Sequence, residues 1–408
     1  MINLTLVSVY TDLIYSDPMP PDMRNRIVGA RMMEDGLSPY FYIWQKGGPV
    51  RYFDINTPPN TNVSRATASP FFHWLIMPIA DLPQSQLNVL WMFIEYAALI
   101  SCGLLALAML PGGQRRVLLP FITALLIVFC YTQGWRIHVY GGQNYIFIPL
   151  LMLGSVYFMR KARSWFNTFA FGILSTCLIL VYPVAVVVFI PFILYIRQYL
   201  RHVTVTLGML IIYMVVVLAN PVQKANWSDY FRALPIHATN HVGITKTSEI
   251  VYDPVSVKLL EGINFNDTPN KQRTARLTFL SQCSNFFYYF NVLTHKRISI
   301  KAMLCLGVVV CIALMLPLLY FKIKGIPVSY LAVYITGFAM FNCFNFFGPV
   351  IRCDYHFITF LLPLLLLVVW LKKVYVVPLI LICIGFYLNI TFLRFMLAQH
   401  TVGEFLFY

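Results

Sequence analysis

The residues of this chain that are able to carry chemistry sit outside its apolar runs. The first group follows the first apolar segment: Pro20-Pro21-Asp22-Met23-Arg24-Asn25-Arg26-Ile27-Val28-Gly29-Ala30-Arg31, running on to Gly36-Leu37-Ser38-Pro39-Tyr40. On a helix, Arg26 lies one turn on from Asp22 and on the same face. A carboxylate takes the proton of a hydroxyl, and an arginine offers a planar fork to phosphate oxygens. Asp22 with Arg24, Arg26 and Arg31 therefore suits a reaction in which a hydroxyl is deprotonated and a phosphate departs. The same residues also suit a helix start, with Asp22 as the cap. The two roles are compatible, and the spacing leaves both open.

Two further groups are candidates. Gly134-Trp135-Arg136-Ile137-His138-Val139-Tyr140-Gly141-Gly142-Gln143-Asn144 reads as a short polar loop that enters an apolar segment at Tyr145. One reading is a polar helix cap with the Gly-Gly pair as a turn. The other makes Arg136, His138, Gln143 and Asn144 a lining for donor phosphate or sugar hydroxyls at the mouth of a cavity. The third group, Asn345-Phe346-Phe347-Gly348-Pro349-Val350-Ile351-Arg352-Cys353-Asp354-Tyr355-His356, sits between two apolar helices. It reads as a solvated turn with an Arg–Asp pair, or as part of a site, because ionisable residues at a membrane are functional candidates. Glu95, early in the second apolar segment, reads either as facing the same cavity or, better, as a helix-interface hydrogen-bonding group. His237, His241 and His295 are scattered, nothing has metal-ligand spacing, and no cofactor is expected.

Helices must position these groups. The chain is 59% apolar and 11% charged, with mean hydropathy +0.71, which is the composition of a polytopic membrane protein. About 20 apolar residues make a span, and eleven are predicted: 1–15, 89–110, 117–134, 145–159, 166–181, 184–196, 203–219, 300–321, 326–347, 355–371 and 374–395. All must be helices, because an open sheet edge cannot face lipid. The expected fold is an all-α bundle forming one integral membrane domain over 1–408. Its two polar segments, 16–88 and 220–299, hold eleven of the fifteen acidic residues. The net charge of +15 is spread over short loops, which excludes a nucleic-acid patch. Nine cysteines without a Cys-x-x-Cys pair read as small core hydrophobes. The apolar start has neither a basic n-region nor a cleavage site, and it is short for a full span.

Arg115-Arg116, Arg160-Lys161-Arg163, and Arg197 with Arg201 fall at every second turn. The positive-inside rule makes these the cytoplasmic loops, so that 16–88, 135–144 and 220–299 face outward. Pro183 breaks 166–196 into two short helices of the kind that lines a cavity. Phe71 to Met77 spans about two turns and belongs at the interface, while Asn226-Trp227-Ser228-Asp229-Tyr230-Phe231 reads equally as the opening of an amphipathic interfacial helix or as a solvated loop. In the C-terminal third, Lys296, Arg297 and Lys301 pull against Lys322, Lys324, Lys372 and Lys373, and the side depends on whether 277–293 spans.

The order of these motifs resembles the GT-C membrane glycosyltransferases. They are Asp22, Gly36-x-x-Pro39-Tyr40, Gly142-Gln143-Asn144, Tyr182-Pro183, and Arg352…Tyr355-His356 before Pro363. The chain is most similar to family 87, which includes polyprenyl-phosphate-mannose-dependent mannosyltransferases. The resemblance implies inverting transfer of a hexose from a polyprenyl-phosphate donor to a lipid or glycan acceptor, at the outer face of a bacterial plasma membrane. It implies that Asp22 is the general base and that Arg352, Tyr355 and His356 lie near the donor phosphate. It also favours an outward 352–356, with 277–293 re-entrant or interfacial. There are two departures. Leu180 stands where many members carry a lysine, and Ser281-Gln282-Cys283-Ser284-Asn285 is the nearest piece to a common Asn-Gln-Ser stretch. Two rival readings are a transporter or lipid-linked-glycan flippase, which also needs broken helices, and a non-catalytic partner in envelope assembly. Against the transporter, the ionisable residues gather in outer loops.

Overall fold

Apolar stretches entered through Pro, Ser or Thr become helices along this chain. A computed structural model describes residues 2–15, 20–54, 57, 62–161, 164–243, 298–348 and 354–370, with residues 286, 290 and 384. The architecture is all-α, with no strand among the described residues. The helices are α1 Ile2–Tyr15, α2 Pro21–Glu34, α3 Pro70–Ile76, α4 Gln84–Met109, α5 Gly112–Cys130, α6 Gln133–Gly141 and α7 Phe147–Arg160. They continue as α8 Trp165–Val181, α9 Ile190–Leu194, α10 Ile196–Ala219, α11 Pro221–Gly243, α12 Ile300–Ile323, α13 Tyr330–Phe347 and α14 Leu361–Val369. Ser69, Thr132, Ser164, Ser299 and Ser329 cap their helices by accepting the N–H three residues on.

Helices α4, α5, α10, α12 and α13 are long and apolar enough to cross a membrane. Helices α7 and α8 and the segments Pro183–Leu194 and Tyr355–Val369 are shorter apolar pieces. The predicted span 374–395 and the disputed segment 277–293 lie outside the described residues, apart from residues 286, 290 and 384.

Several expectations are corrected. Residues 133–141 form helix α6 rather than a loop, because Thr132 caps its start and Gly142, at φ 60°, ends it in the left-handed region. The preceding span accordingly stops at Cys130, short of residue 134. The stretch after Asp354 begins as a 3-10 helix, Asp354–Phe360, before α14. The interfacial helix expected near 226–231 extends over Pro221–Gly243, and it buries Trp227, Tyr230, Ala233 and His237 along one face. Pro20, not Asp22, holds the N-cap position of α2, and no side chain caps that helix. Asp22 lies in the first turn, where a negative charge still suits the helix dipole. The break at Pro183 is present: α8 ends at Val181 and a 3-10 helix, Pro183–Phe189, leads into α9.

The bundle has two chemically different ends. At one, Arg160 donates to the Met109 carbonyl and lies over the Trp370 ring, tying together the ends of α4, α7 and α14. Arg201 stacks 3.7 Å over Trp165, joining the starts of α8 and α10. Tyr195 donates to Leu318 O at 2.7 Å, which brings the last turns of α12, with Lys322, to the same end. At the other end, α2, α3 and α11 form a cap of buried Met23, Ile27, Tyr40, Phe71, Phe72 and Trp227 over Trp91 and Leu180. The candidate residues lie at the seam between this cap and the main core.

Candidate active site

The seam is organised by the turn between α6 and α7. Gly142 reverses the chain, with its N–H on Val139 O and that of Gln143 on His138 O, at 3.1 and 2.9 Å. A Cβ on Gly142 would stand 2.5 Å from Met23 Cβ, so glycine serves both the backbone angle and the approach of α2.

Every polar group of Gln143 is then used. Its main-chain O accepts from Trp91 Nε1 at 3.1 Å. Its Oε1 accepts from Arg26 Nη2 at 2.8 Å, while Arg26 Nη1 donates to Gly142 O at 2.7 Å. With Oε1 held by a cation, the amide nitrogen must face Asp22, and it donates to Asp22 Oδ2. Asp22 is partly exposed, whereas Arg26 and Gln143 are buried. Burial raises the Asp22 carboxyl above its usual range, against the opposing pull of Arg26, Gln143, Asn25 and Arg65. Behind Arg26, the main-chain O of that residue lies 3.0 Å from Nδ1 of fully buried His73. Burial pushes that ring down to about 4, so it is neutral at neutral pH.

Asn144 continues the same edge, its Oδ1 accepting from the Tyr182 hydroxyl at the end of α8. The Tyr145 ring contacts Tyr182, Tyr355 and His356 at centroid distances of 5.3, 5.1 and 4.2 Å. The late motif therefore meets the central turn through aromatic rings, as the 354–360 helix packs along α6 and stacks Phe357 on Phe129. His138 sits one layer deeper, fully buried, 3.2 Å from Glu95.

Of the predicted residues, the structure brings together Asp22, Arg26, His138, Gln143, Asn144, Tyr355 and His356. It does not bring Arg24, Arg31 or Arg136 to Asp22. Arg24 donates from Nε to Phe53 O at 2.9 Å, and burial lowers it to about 10. Arg31 donates to Ala80 O at 2.8 Å and lies 3.7 Å from Asp81. Arg136 reaches Asp12 and Tyr140, each at 3.2 Å. Arg24 and Arg31 fasten parts of the cap to one another, and Arg136 fastens α1 to α6. Arg352 lies outside the described residues. Leu180, at the position of the missing lysine, is buried in the cap core with Met23 and Tyr40.

Sequence reasoning missed Trp91, His73 and Arg65. Arg65 acts electrostatically on both Asp22 and His237. None of the three has a local motif, and only the packing of His73 on α2, of Trp91 on Gln143 and of Arg65 near Asp22 reveals them. The fork geometry of Arg26 can be tested directly. Arg26→Lys leaves Gln143 Oε1 or Gly142 O without its buried donor, and the expected loss of stability is about 1–3 kcal/mol. A thermal midpoint equal to the parent's would show that the fork is dispensable.

An all-α bundle whose apolar helices end in a carboxylate–amide–guanidinium cluster is an integral membrane protein with a polar site at one end. Residues 67–341 match the model of glycosyltransferase family 87, and the chain belongs to that family. It is thus a membrane glycosyltransferase. The match includes Gly142-Gln143-Asn144 and Tyr182; Asp22 and His356 lie on either side of it. No curated protein and no solved structure matches the chain.

Proposed function

We propose that this glycosyltransferase moves a mannose-like hexose from a polyprenyl-phosphate donor to a hydroxyl of a lipid or glycan acceptor, with inversion. The observation that carries the reading is the Asp22 carboxylate. One of its oxygens is oriented by Gln143, the group is partly exposed, and burial raises its proton affinity. In this reading the acceptor O–H gives its proton to Asp22, and the acceptor oxygen forms a bond to the sugar C1. The C1–O bond to phosphate breaks on the opposite face, and the phosphate leaves with the bonding electrons. One carboxylate suffices for such a direct displacement. Asp12 and Glu95 are fully buried and face Arg136 and His138 instead.

The departing phosphate needs positive charge and hydrogen-bond donors. His356 and Tyr355, which pack on Tyr145, are assigned to that side together with Asn144, and partly exposed Arg65 supplies charge near Asp22. Arg352 is assigned there by its motif. Arg115, Arg160, Arg201 and Lys322 gather at the opposite end of the bundle, and the positive-inside rule then turns the site outward, consistent with a bacterial plasma-membrane enzyme.

The pH dependence of kcat/KM tests the role of Asp22. A base must be ionised, so activity falls as pH drops through its pKa. Because burial raises that pKa, the ascending limb is expected to lie above the ordinary aspartate value of about 4. A rate that stays flat from neutral pH down to that value would overturn the reading.

A further inference from the structure

Arg201 is a cation whose hydrogen-bonding edge meets no protein acceptor. It lies in the second turn of α10, and its guanidinium stacks 3.7 Å over the ring of Trp165, the first residue of α8. Its Nε and Nη2 are buried and have no hydrogen-bond partner among the described residues. Those two nitrogens form the side-on fork of the group, whose parallel N–H bonds match two oxygens of one phosphate. A guanidinium stacked on an aromatic face still bonds through that edge, in its own plane. The neighbouring His202, 7% exposed, shares the shortage: neither ring nitrogen has a partner among the described residues. Nor is a carboxylate at hand. The chain carries no acidic residue from Tyr96 to Ser228, so α5 to α10 offer none, and neither do α12, α13 and α14. The anion that satisfies the fork must come from outside these helices.

The surroundings suit a lipid rather than free phosphate. Trp165, Phe169 and Ile173 share one face of α8, and all three are exposed apolar side chains. On α10, Thr204 and Gly208 continue the face of Arg201, and a Cβ on Gly208 would meet nothing within 4 Å. Arg201 over Trp165 sets the two faces side by side at their start. Further along, the helices stay close, for a Cβ on Gly172 would stand 2.7 Å from Val205 Cγ1. An apolar track with an open notch thus leads away from the fork, as an acyl chain requires.

We propose that Arg201, seated on Trp165, binds the phosphate of an anionic phospholipid at the end of the bundle remote from Asp22, with an acyl chain laid along α8 and α10. Trp165 is 60% exposed, and a change of its rotamer opens the fork to the headgroup, as is ordinary on binding.

The full-length protein, purified in detergent and stripped of lipid, is titrated with phosphatidylglycerol, phosphatidylcholine or inorganic phosphate. Bound lipid is counted by native mass spectrometry, beside the thermal midpoint. The parent is expected to prefer phosphatidylglycerol over phosphatidylcholine by about 5-fold and to gain no stability from inorganic phosphate. Arg201→Gln is expected to lose about 10-fold or more in affinity for phosphatidylglycerol. Arg201→Lys keeps the charge without the fork and should lose about 5-fold. The comparison is exposed Arg197 on the same helix, where Arg197→Gln should stay within about 2-fold of the parent. Parent-like binding by Arg201→Gln overturns the site, and so does an equal loss in Arg197→Gln, which would mean diffuse attraction to a basic surface. Equal binding of phosphatidylcholine, or equal stabilisation by inorganic phosphate, overturns the assignment to an anionic lipid. If Arg201→Gln does not fold, Arg201→Lys decides alone: parent-like binding there rejects the fork.

Discussion

Asp22→Asn is expected to lower kcat by about 10²- to 10⁴-fold while the bundle remains folded. The two side chains have the same shape, and asparagine still offers an oxygen to the Gln143 amide, so the turn at Gly142 keeps its contacts. Arg26 retains both of its bonds, to Gly142 O and Gln143 Oε1. What disappears is a group able to take a proton. The fold loses little, because no side-chain cap on α2 depends on Asp22 and the buried Met23, Ile27 and Ala30 still anchor the helix. The measurement is single-turnover transfer beside a thermal melt in the same detergent. Loss of turnover with a parent-like melt supports the base role, and normal turnover excludes it.

Gly337→Ala is expected to cost more stability than any change at the site. Helix α13 crosses the 3-10 helix Pro183–Phe189 at this residue, and a Cβ there would stand 1.9 Å from Val188 O and 2.7 Å from its carbonyl carbon. The obstructing atoms are main chain, so no rotamer relieves them. Either α13 or the broken segment must move, although Val188 and Ala185 are fully buried in the core. A loss beyond the usual 1–3 kcal/mol of overpacking, about 4 kcal/mol or more, is expected. Gly307→Ala is the comparison, since its Cβ would meet the Phe347 side chain at 2.9 Å. Yield and thermal midpoint in detergent read both variants. Displacing the 183–189 helix also disturbs Tyr182, the residue before it, which donates to Asn144. A Gly337→Ala protein with the parent's midpoint would show that α13 and the broken segment can separate at no cost to the fold.

Much of the architecture was legible in the sequence because it is local. Apolar runs that end at Pro, Ser or Gly mark helices wherever lipid forbids open backbone, and the break at Pro183 follows from a missing N–H. The errors were local too. Residues 133–141 looked like a loop because Arg136, His138 and two glycines interrupt the apolar pattern, yet a Thr132 cap and a glycine stop are the signature of a short helix. In the C-terminal third, Lys301 and Lys322 sit at opposite ends of α12. Charge alone therefore had two answers, until contacts such as that of Tyr195 with Leu318 brought Lys322 to the end that holds Arg160.

By itself, the sequence determined the class: an all-α membrane protein whose ionisable residues are concentrated between its apolar helices, with Asp22 and Gly142-Gln143-Asn144 among its polar motifs. Composition and periodicity specify these features because each helix must satisfy its own backbone in lipid. Only the tertiary structure decided which arginine reaches the Gly142-Gln143 turn beside Asp22. Arg24, Arg26 and Arg31 share one helix and differ little in sequence context. Arg26 alone of the three meets the Gly142 carbonyl, 116 positions away, while the other two are taken up by carbonyls of the cap. The partner of a buried guanidinium is set by which distant main chain packs against it, and no local pattern carries that information.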